Sequence, residues 1–470
     1  MNNHEKGITL IALIITIIVL LILAGITISL LTGENGLLNK ANESKIITDE
    51  TSVLETAILY DNSNISISAE KDESCIYSSP FDYILTDEVK KYIEKRLGRE
   101  LISSDTFYKI NTDKLNKDTE DTYIINEERN LVIKITKEQL AKLEKGKSIW
   151  FWCNMNSEDE SIYVTNANKT VEVLDKLKEE SVINIYIPID RRKTEQYQNF
   201  VTEATKRGMY VYALEGDPAF VFEEEYSSCI NGIIDNIVDY NNKVPKEARI
   251  RGVHYDVEAY GNTGYADSSK NWINGQSEEA KNGNVRKLYM KFVKQSSEYA
   301  RKNGLKTEYD IPFTYNRFTY YDENGEEKNM AEDIVKYADK TTIMVYTTNQ
   351  NYIFESLDKM KEPYTETDGS ILQSEKSWMR IANENQKAIE VGVELDVFKN
   401  EAENLKNHPE YAGVYIDPNY EYTWNYINNI ILGGTTEKID NYDKENNYKT
   451  EYTYCIHHIY PFLRLIGYLN

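Results

Sequence analysis

The sequence predicts an α/β protein whose C-terminal part is a (β/α)8 TIM barrel. From Ser148 onward, short apolar runs with strand-like patterns alternate with amphipathic helical stretches, as repeated βα units require. The most informative run is residues 250–260, IRGVHYDVEAY, where apolar side chains alternate with His254, Asp256 and Glu258. A doubly wound open sheet is the competing architecture. It is disfavoured because no glycine-rich phosphate loop follows the first strand.

Eight runs are predicted as barrel strands: SIWFWCN, NIYIPID, MYVYALEG, IRGVHYDVEAY, KTEYDIPFT, KTTIMVYTT, KAIEVGVELD and YAGVYIDP. Helical stretches with apolar residues at helical spacing lie between them, and two of these end at glycine. We therefore expect the barrel to occupy residues 146–432. Residues 433–470 are expected to form a C-terminal tail, in which the adjacent His457 and His458 receive no role.

The N-terminal region contains an uncharged apolar run over residues 8–31, which is long enough to cross a bilayer as a helix. Residues 1–7 form a short leader-like segment expected in the cytoplasm, and residues 8–45 form the predicted transmembrane helix. A cleaved secretory signal fits less well, because the run is too long and no clear small-residue cleavage site follows it. The protein is thus predicted to be a single-pass protein of the cell membrane with extracytoplasmic C-terminal domains.

The stretch KGITLIALIITIIVLLILAG resembles the N-terminus of type IV pilin-like proteins. The resemblance covers about the first forty residues and implies cleavage between Gly7 and Ile8 by a prepilin peptidase, with pilus or secretion components as further partners. Ala12 stands where many pilins carry a Glu associated with subunit assembly. An uncleaved anchor is the alternative interpretation.

Residues 46–145 predict a small α+β spacer domain, similar to the globular part of pseudopilins. Its clearest elements are a helix containing DEVKKYIEKRL and a hairpin in DTYIINEERNLVIKIT, where apolar strands flank the polar turn EERN. No catalytic constellation is visible in this region. Residues 143–147, LEKGK, are predicted to be a linker.

Composition limits the classes of ligand and macromolecule that we expect the protein to bind. The net charge of -23 excludes a basic footprint for phosphates, so no nucleic acid is expected. The four cysteines lie far apart, without the close pairs of zinc sites, and are expected to be free thiols. No cofactor is expected. A hard cation at Asp190, Asp310 and Asp417 is the weaker alternative, since their spacing fits no calcium loop.

Carboxylates dominate the predicted C-terminal strand ends. Asp190 ends the second strand, Asp256 and Glu258 the fourth, Glu394 the seventh and Asp417 the eighth, and Asp310 lies on the fifth. Active sites of TIM barrels are built at this end. Crowded carboxylates raise one another's pKa, so one can act as an acid while its neighbour stays ionised. Glycoside hydrolysis uses such pairs.

RGVHYDVEAY is similar to the fourth-strand motif of glycoside hydrolase family 18, the chitinase-like barrels. Gly252, Asp256 and Glu258 match the motif, whereas Arg251 and His254 stand where it has acidic residues. The resemblance implies that Glu258 protonates the glycosidic oxygen of a polysaccharide and that Asp256 orients the substrate's acetamido group. It also implies that Tyr346, in a Met-x-Tyr segment, holds that group, and that Trp424 lies under the sugar.

Other interpretations remain open. Glu258 and Glu394 also occupy positions resembling the acid/base and nucleophile of retaining glycosidases that use strands four and seven, although Val257 stands where those enzymes have Asn. The main rival is a non-catalytic carbohydrate-binding or adhesive surface protein. A minor pilin-like subunit carrying the barrel as cargo is the third.

Overall fold

The computed structural model describes residues 37–65, 77–101, 105–112, 115–117, 119–140, 142–259, 284–345, 377–395 and 423–469, together with Ile17. The cleavage position at Gly7 and Ile8 lies outside these residues, as does all of the apolar run 8–31 except Ile17. Among the described residues, no helix is both long and apolar enough to cross a bilayer. The anchor therefore stays a prediction from sequence.

The small N-terminal domain is α+β, as expected. Its elements are α1 (Leu37–Ile65), β1 (Tyr77–Pro80), β2 (Tyr83–Ile84), α2 (Asp87–Leu97), β3 (Phe107–Ile110), β4 (Thr122–Asn126), β5 (Val132–Ile135), α3 (Lys137–Leu140) and β6 (Glu144–Lys145). Strands β1, β3, β4 and β5 form an antiparallel sheet in that order. The predicted hairpin is confirmed, because Tyr123 pairs with Lys134 across β4 and β5. Gly98 ends α2 in the left-handed conformation, which glycine adopts without strain.

The C-terminal domain is a closed barrel of eight parallel strands. Its elements are β7 (Lys147–Trp150), α4 (Glu158–Thr165), α5 (Ala167–Glu179), β8 (Val182–Pro188), α6 (Gln198–Lys206), β9 (Tyr210–Glu215), α7 (Ile233–Lys243), β10 (Gly252–Tyr255), α8 (Asn284–Lys302), β11 (Lys306–Pro312), β12 (Thr319–Tyr321), β13 (Glu327–Asn329), α9 (Met330–Tyr337), β14 (Lys340–Met344), α10 (Trp378–Asn385), β15 (Ile389–Glu394), α11 (Gly433–Asn446), β16 (Tyr452–His457) and α12 (Ile459–Leu465). The closed order is β7, β8, β9, β10, β11, β14, β15 and β16. Strands β12 and β13 form a separate antiparallel pair.

Three sequence-based assignments are wrong. The eighth barrel strand is β16 and not YAGVYIDP, whose residues 411–418 lie outside the described part of the chain. Residues 433–470 are consequently no tail: they supply α11, the closing strand and α12, so the barrel does not end at residue 432. The expected linker at residues 143–147 is also structured, since Glu144 and Lys145 pair with Ile84 and Tyr83.

Alternation along the strands sorts side chains between two environments. Val253, Tyr255 and Val257 belong to the large apolar core between the strands and the outer helices. His254 lies on the opposite face, inside the barrel, with its ring stacked on Tyr186 at 3.6 Å between centroids. The two-residue period of a strand produces this separation. It confirms the sequence-based assignment of faces on the fourth barrel strand.

The small domain closes the barrel at the N-terminal ends of its strands, here called the floor. Lys306, the first residue of β11, lies with Nζ 4.2 Å from the ring centroid of Tyr108. Lys145 likewise lies over Tyr452, the first residue of β16, at 3.7 Å. Asp82 enters between the strands and contacts Lys340, the first residue of β14. The region predicted as a spacer therefore packs directly against the barrel.

Candidate functional site

The C-terminal ends of the barrel strands, here called the mouth, bring Asp256 and Glu258 together after β10. Asp256 N–H donates to the carbonyl oxygen of Glu215 at 2.9 Å, which continues the pairing with β9. Gly216 allows the segments that follow β9 and β10 to lie this close, because a β-carbon there would lie 1.9 Å from the Asp256 carbonyl oxygen. The Asp256 side chain is partly buried and that of Glu258 is exposed. Two carboxyls in unlike surroundings thus stand side by side at the mouth.

Burial and neighbouring charges also change the pKa of Asp256. Burial, followed by the charges of Asp310 and Glu258, raises the pKa of Asp256 well above its usual range, while His254 opposes the rise. Its Oδ1 atom is buried and finds no hydrogen-bond partner among the described residues. A carboxyl whose pKa is raised keeps its proton to a higher pH than an ordinary aspartate does, and it can then donate that proton to a bound group or share it.

Asp310 and His254 form a buried ion pair beneath Asp256. His254 Nε2 lies 2.7 Å from Asp310 Oδ1, and Nδ1 lies 3.2 Å from Glu308 Oε2. Asp310 also accepts a hydrogen bond from Trp150 Nε1 at 2.8 Å. Burial alone would lower the pKa of His254, but the two carboxylates outweigh it and raise the pKa to about 9. His254 is therefore an imidazolium at neutral pH.

A second ionic group fills the barrel below His254. Lys340 Nζ lies 3.0 Å from Asp82 Oδ2, 3.0 Å from Glu390 Oε1 and 3.6 Å from Glu308 Oε1. Glu390 further accepts hydrogen bonds from Tyr186 and Thr342, each at 2.8 Å, and from Ser148. Lys340 and Glu390 are almost fully buried. Buried charges persist when they are paired and hydrogen-bonded, as here.

Glu394 lies at the end of β15, also at the mouth, where His457 from the end of β16 meets it. The two strands pair Glu394 with His457 in register. Oε2 of Glu394 contacts Nδ1 of His457, and His457 Nε2 accepts a hydrogen bond from Trp152 Nε1 at 3.1 Å. Glu394 is thus tied into a dyad of its own.

The other predicted site residues that the structure describes outside the barrel interior, Asp190 and Trp424, have partners of their own. Asp190 is held by Arg192, whose Nε lies 3.1 Å from Asp190 Oδ1. Hydrogen bonding to Arg192 lowers the pKa of the Asp190 carboxyl. Trp424 packs on Phe462 and donates to Glu180, which precedes β8 at the floor side, so it is no sugar platform. Asp190 and Asp310 have different partners and do not build the cation site considered above. Tyr346 and Asp417 lie outside the described residues.

Sequence reasoning missed most of the buried polar interior. It assigned no role to His254, Lys340, Glu390 or His457, and it placed Asp82 in a spacer. One signal was present: Lys340 and Glu390 interrupt apolar strands at positions of the inward face. Cys153, Cys229 and Cys455 are free and buried, as expected, and Cys75 lies outside the described residues.

No protein-family model matches the sequence, and no curated protein matches it either. Solved structures similar to the chain include a chitinase from Chromobacterium violaceum, with 14% identity, a TM-score of 0.29, and coverage of 53% of this chain and 68% of that one. A GH18 chitinase from Pseudoalteromonas aurantia has 9% identity and a TM-score of 0.34, covering 69% and 100%. The spore cortex-lytic enzyme SleL from Bacillus megaterium has 12% identity and a TM-score of 0.27, covering 53% and 50%. Likenesses this weak establish no activity for the chain.

Proposed function

We propose that the protein is a glycoside hydrolase, held at the membrane by residues 8–31, that cleaves glycosidic bonds in a cell-wall or environmental polysaccharide. Glu258 is the general acid, and Asp256 orients and stabilises the substrate's acetamido group. The observation that carries the proposal is the pair itself, with a partly buried Asp256, whose pKa burial raises, beside an exposed Glu258 at the mouth of a TIM barrel.

The geometry supports Asp256 over Glu394 as the partner of Glu258. Asp256 lies two residues from Glu258, and the Glu258 charge contributes to its raised pKa. Glu394 instead directs Oε2 at His457. Glu258 therefore donates its proton to the leaving oxygen as the glycosidic C–O bond breaks, and water adds to the anomeric carbon. Asp256 either donates a hydrogen bond to the acetamido carbonyl oxygen or accepts one from the acetamido N–H. The sugar that this arrangement suits carries an N-acetyl group.

The test is hydrolysis of labelled chitooligosaccharides and peptidoglycan fragments by the full-length chain and by Glu258→Gln. Loss of a positioned general acid lowers kcat by ~10²- to 10⁴-fold. Glu394→Gln is the matched comparison at the same end of the barrel. Collapse of activity in Glu258→Gln with a smaller effect in Glu394→Gln supports the proposal, whereas the reverse order supports the retaining pair.

A non-catalytic glycan-binding protein is the second candidate. The observation that favours it is His254, which places an imidazolium inside the barrel where the resembled motif has an acid. If the wild type cleaves no substrate but binds N-acetylated oligosaccharides by calorimetry, and Glu258→Gln binds them equally well, this second function replaces the first.

A further inference from the structure

Asp82 is the one described residue of the small domain that reaches the ionic group inside the barrel by a salt bridge. Its side chain is 8% exposed and lies 3.0 Å from Lys340 Nζ. Asn184 Nδ2 donates to the same Oδ2 atom at 3.3 Å. The backbone is fixed too, since the Asp82 carbonyl oxygen accepts from Gly146 N–H at 3.1 Å, next to the β2 and β6 pair. Asp82 is therefore held in place from both its backbone and its side chain.

From Asp82, ionic contacts continue through the barrel to the mouth. Lys340 contacts Glu308 through Oε1, and the other oxygen of Glu308 faces His254 Nδ1. His254 Nε2 then contacts Asp310, whose charge acts on Asp256. Along this series of contacts from Asp82 to Asp310, each charged group lies 2.7 to 3.6 Å from the next one. In a low-dielectric interior such contacts couple charges strongly.

We propose that Asp82 is a positioning residue for the mouth: its carboxylate balances Lys340 at the floor and so holds the Glu308, His254 and Asp310 chain, and through it Asp256, in their working charge state. The small domain is then part of the catalytic barrel and not a spacer. The role assigned to Asp256 rests on the proposed function, whereas the coupling from Asp82 to His254 does not.

The charge balance gives the direction of the effect. The barrel interior that holds His254 also contains other buried titratable groups, namely Tyr186, Tyr212, Asp256, Glu308, Asp310, Lys340, Glu390 and Cys455. Removing the negative charge of Asp82 leaves Lys340 less compensated, and its positive field disfavours the imidazolium. The pKa of His254 should fall by roughly one unit, as expected for one charge acting over ~10 Å in a protein interior.

The experiment follows the imidazole signals of His254 by NMR in the full-length chain with labelled histidine, as a function of pH. The sequence has only 5 His, and His254→Gln assigns the signal. We compare wild type with Asp82→Asn, which is nearly isosteric. Glu120→Gln is the matched control, because this exposed small-domain carboxylate pairs with Lys137 at 2.9 Å. The expected result is a lower His254 pKa in Asp82→Asn only, and an unchanged pKa in folded Asp82→Asn overturns the proposal.

A second variant covers loss of folding. If Asp82→Asn does not fold, Asp82→Glu retains the charge, and recovery of the fold with a wild-type His254 pKa supports a role for charge. If neither variant folds, the role for charge is contradicted, because folding would then depend on the shape of the Asp82 side chain. Where the wild type hydrolyses glycans, Asp82→Asn should also shift the pH profile of kcat/KM, and Glu120→Gln should not. A wild type that hydrolyses no glycan refutes the proposed function. The NMR result still tests the coupling between Asp82 and His254 in that case.

Discussion

His254 Nε2 lies 2.7 Å from Asp310 Oδ1 in the interior of the barrel, where both side chains are almost fully buried. This contact joins the strand that carries Asp256 and Glu258 to its neighbour β11. It also places a positive charge where the resembled motif has a negative one. Burial, followed by the charges of Asp310 and Glu258, raises the pKa of Asp256, and the His254 cation opposes that rise.

Replacing His254 by Gln should abolish a pH-dependent part of the stability. A histidine whose pKa is raised on folding stabilises the fold fully below its unfolded pKa of ~6.5. That contribution is lost as pH rises through the folded value of about 9. The difference between these two pKa values corresponds to about 3 kcal/mol of unfolding free energy.

Urea unfolding of wild type and His254→Gln at pH 6 and pH 10 measures this. The difference in unfolding free energy between the two proteins should shrink by that amount at the higher pH. Equal differences at both pH values would show that His254 is not charged in the fold.

Asp256→Asn should stabilise the protein while lowering its activity. The pKa of Asp256 is raised on folding, so its stabilising contribution is present below the unfolded pKa of ~3.9 and is lost as pH rises above it. Near neutral pH the amide avoids the free energy that burial of the Asp256 carboxyl costs on folding, so a gain in stability is expected.

Thermal unfolding at pH 7 and pH 4 checks the sign of this effect. The gain should be present at pH 7 and much smaller at pH 4, and hydrolysis should fall at both. A variant that is less stable at pH 7 would contradict the raised pKa of Asp256.

Gly216→Ala should damage the site more than the fold. The added β-carbon would lie 1.9 Å from the carbonyl oxygen of Asp256, so the ends of β9 and β10 must separate. We expect a loss of about 1–3 kcal/mol in stability and a fall in kcat/KM of ~10²-fold from the displaced carboxyls.

Gly433→Ala is the control for Gly216→Ala, since its nearest contact would be an ordinary 3.9 Å. It should leave activity unchanged. Unaltered kinetics in folded Gly216→Ala would mean that the position of Asp256 is not needed for turnover.

A chain ending at residue 432 should fail to form the barrel. It lacks β16, whose residues pair with β15 from Ile389 to Glu394 and with β7 at Ser148 and Ile149. Both neighbours would become open edges, and the Thr453 contact to buried Glu390 would be lost. Near-ultraviolet circular dichroism should show no fixed tertiary structure, and urea unfolding no cooperative transition.

A chain lacking residues 1–33 serves as the comparison for the C-terminal truncation. It keeps every described element from α1 onward and should unfold cooperatively. Cooperative unfolding of the chain ending at residue 432 would contradict the assignment of β16 as the closing strand.

Local sequence patterns predicted the fold class, seven of the eight barrel strands and the hairpin of the small domain. These features follow from a two-residue or 3.6-residue period, which depends on neighbours in the chain. The same alternation identified Asp256 and Glu258 as side chains of the inner face at a strand end. The membrane helix and its cleavage position rest on sequence alone.

Only the tertiary structure decided which strand closes the barrel and what fills it. Cys455 on β16 pairs with Ser148, and Lys340 meets Asp82, across separations of hundreds of residues that no local period encodes. The same holds for His254, because its protonation depends on Glu308 and Asp310 from another strand. The sequence by itself determined which residues face inward. Their charge states follow from burial and from partners that only the closed barrel brings together.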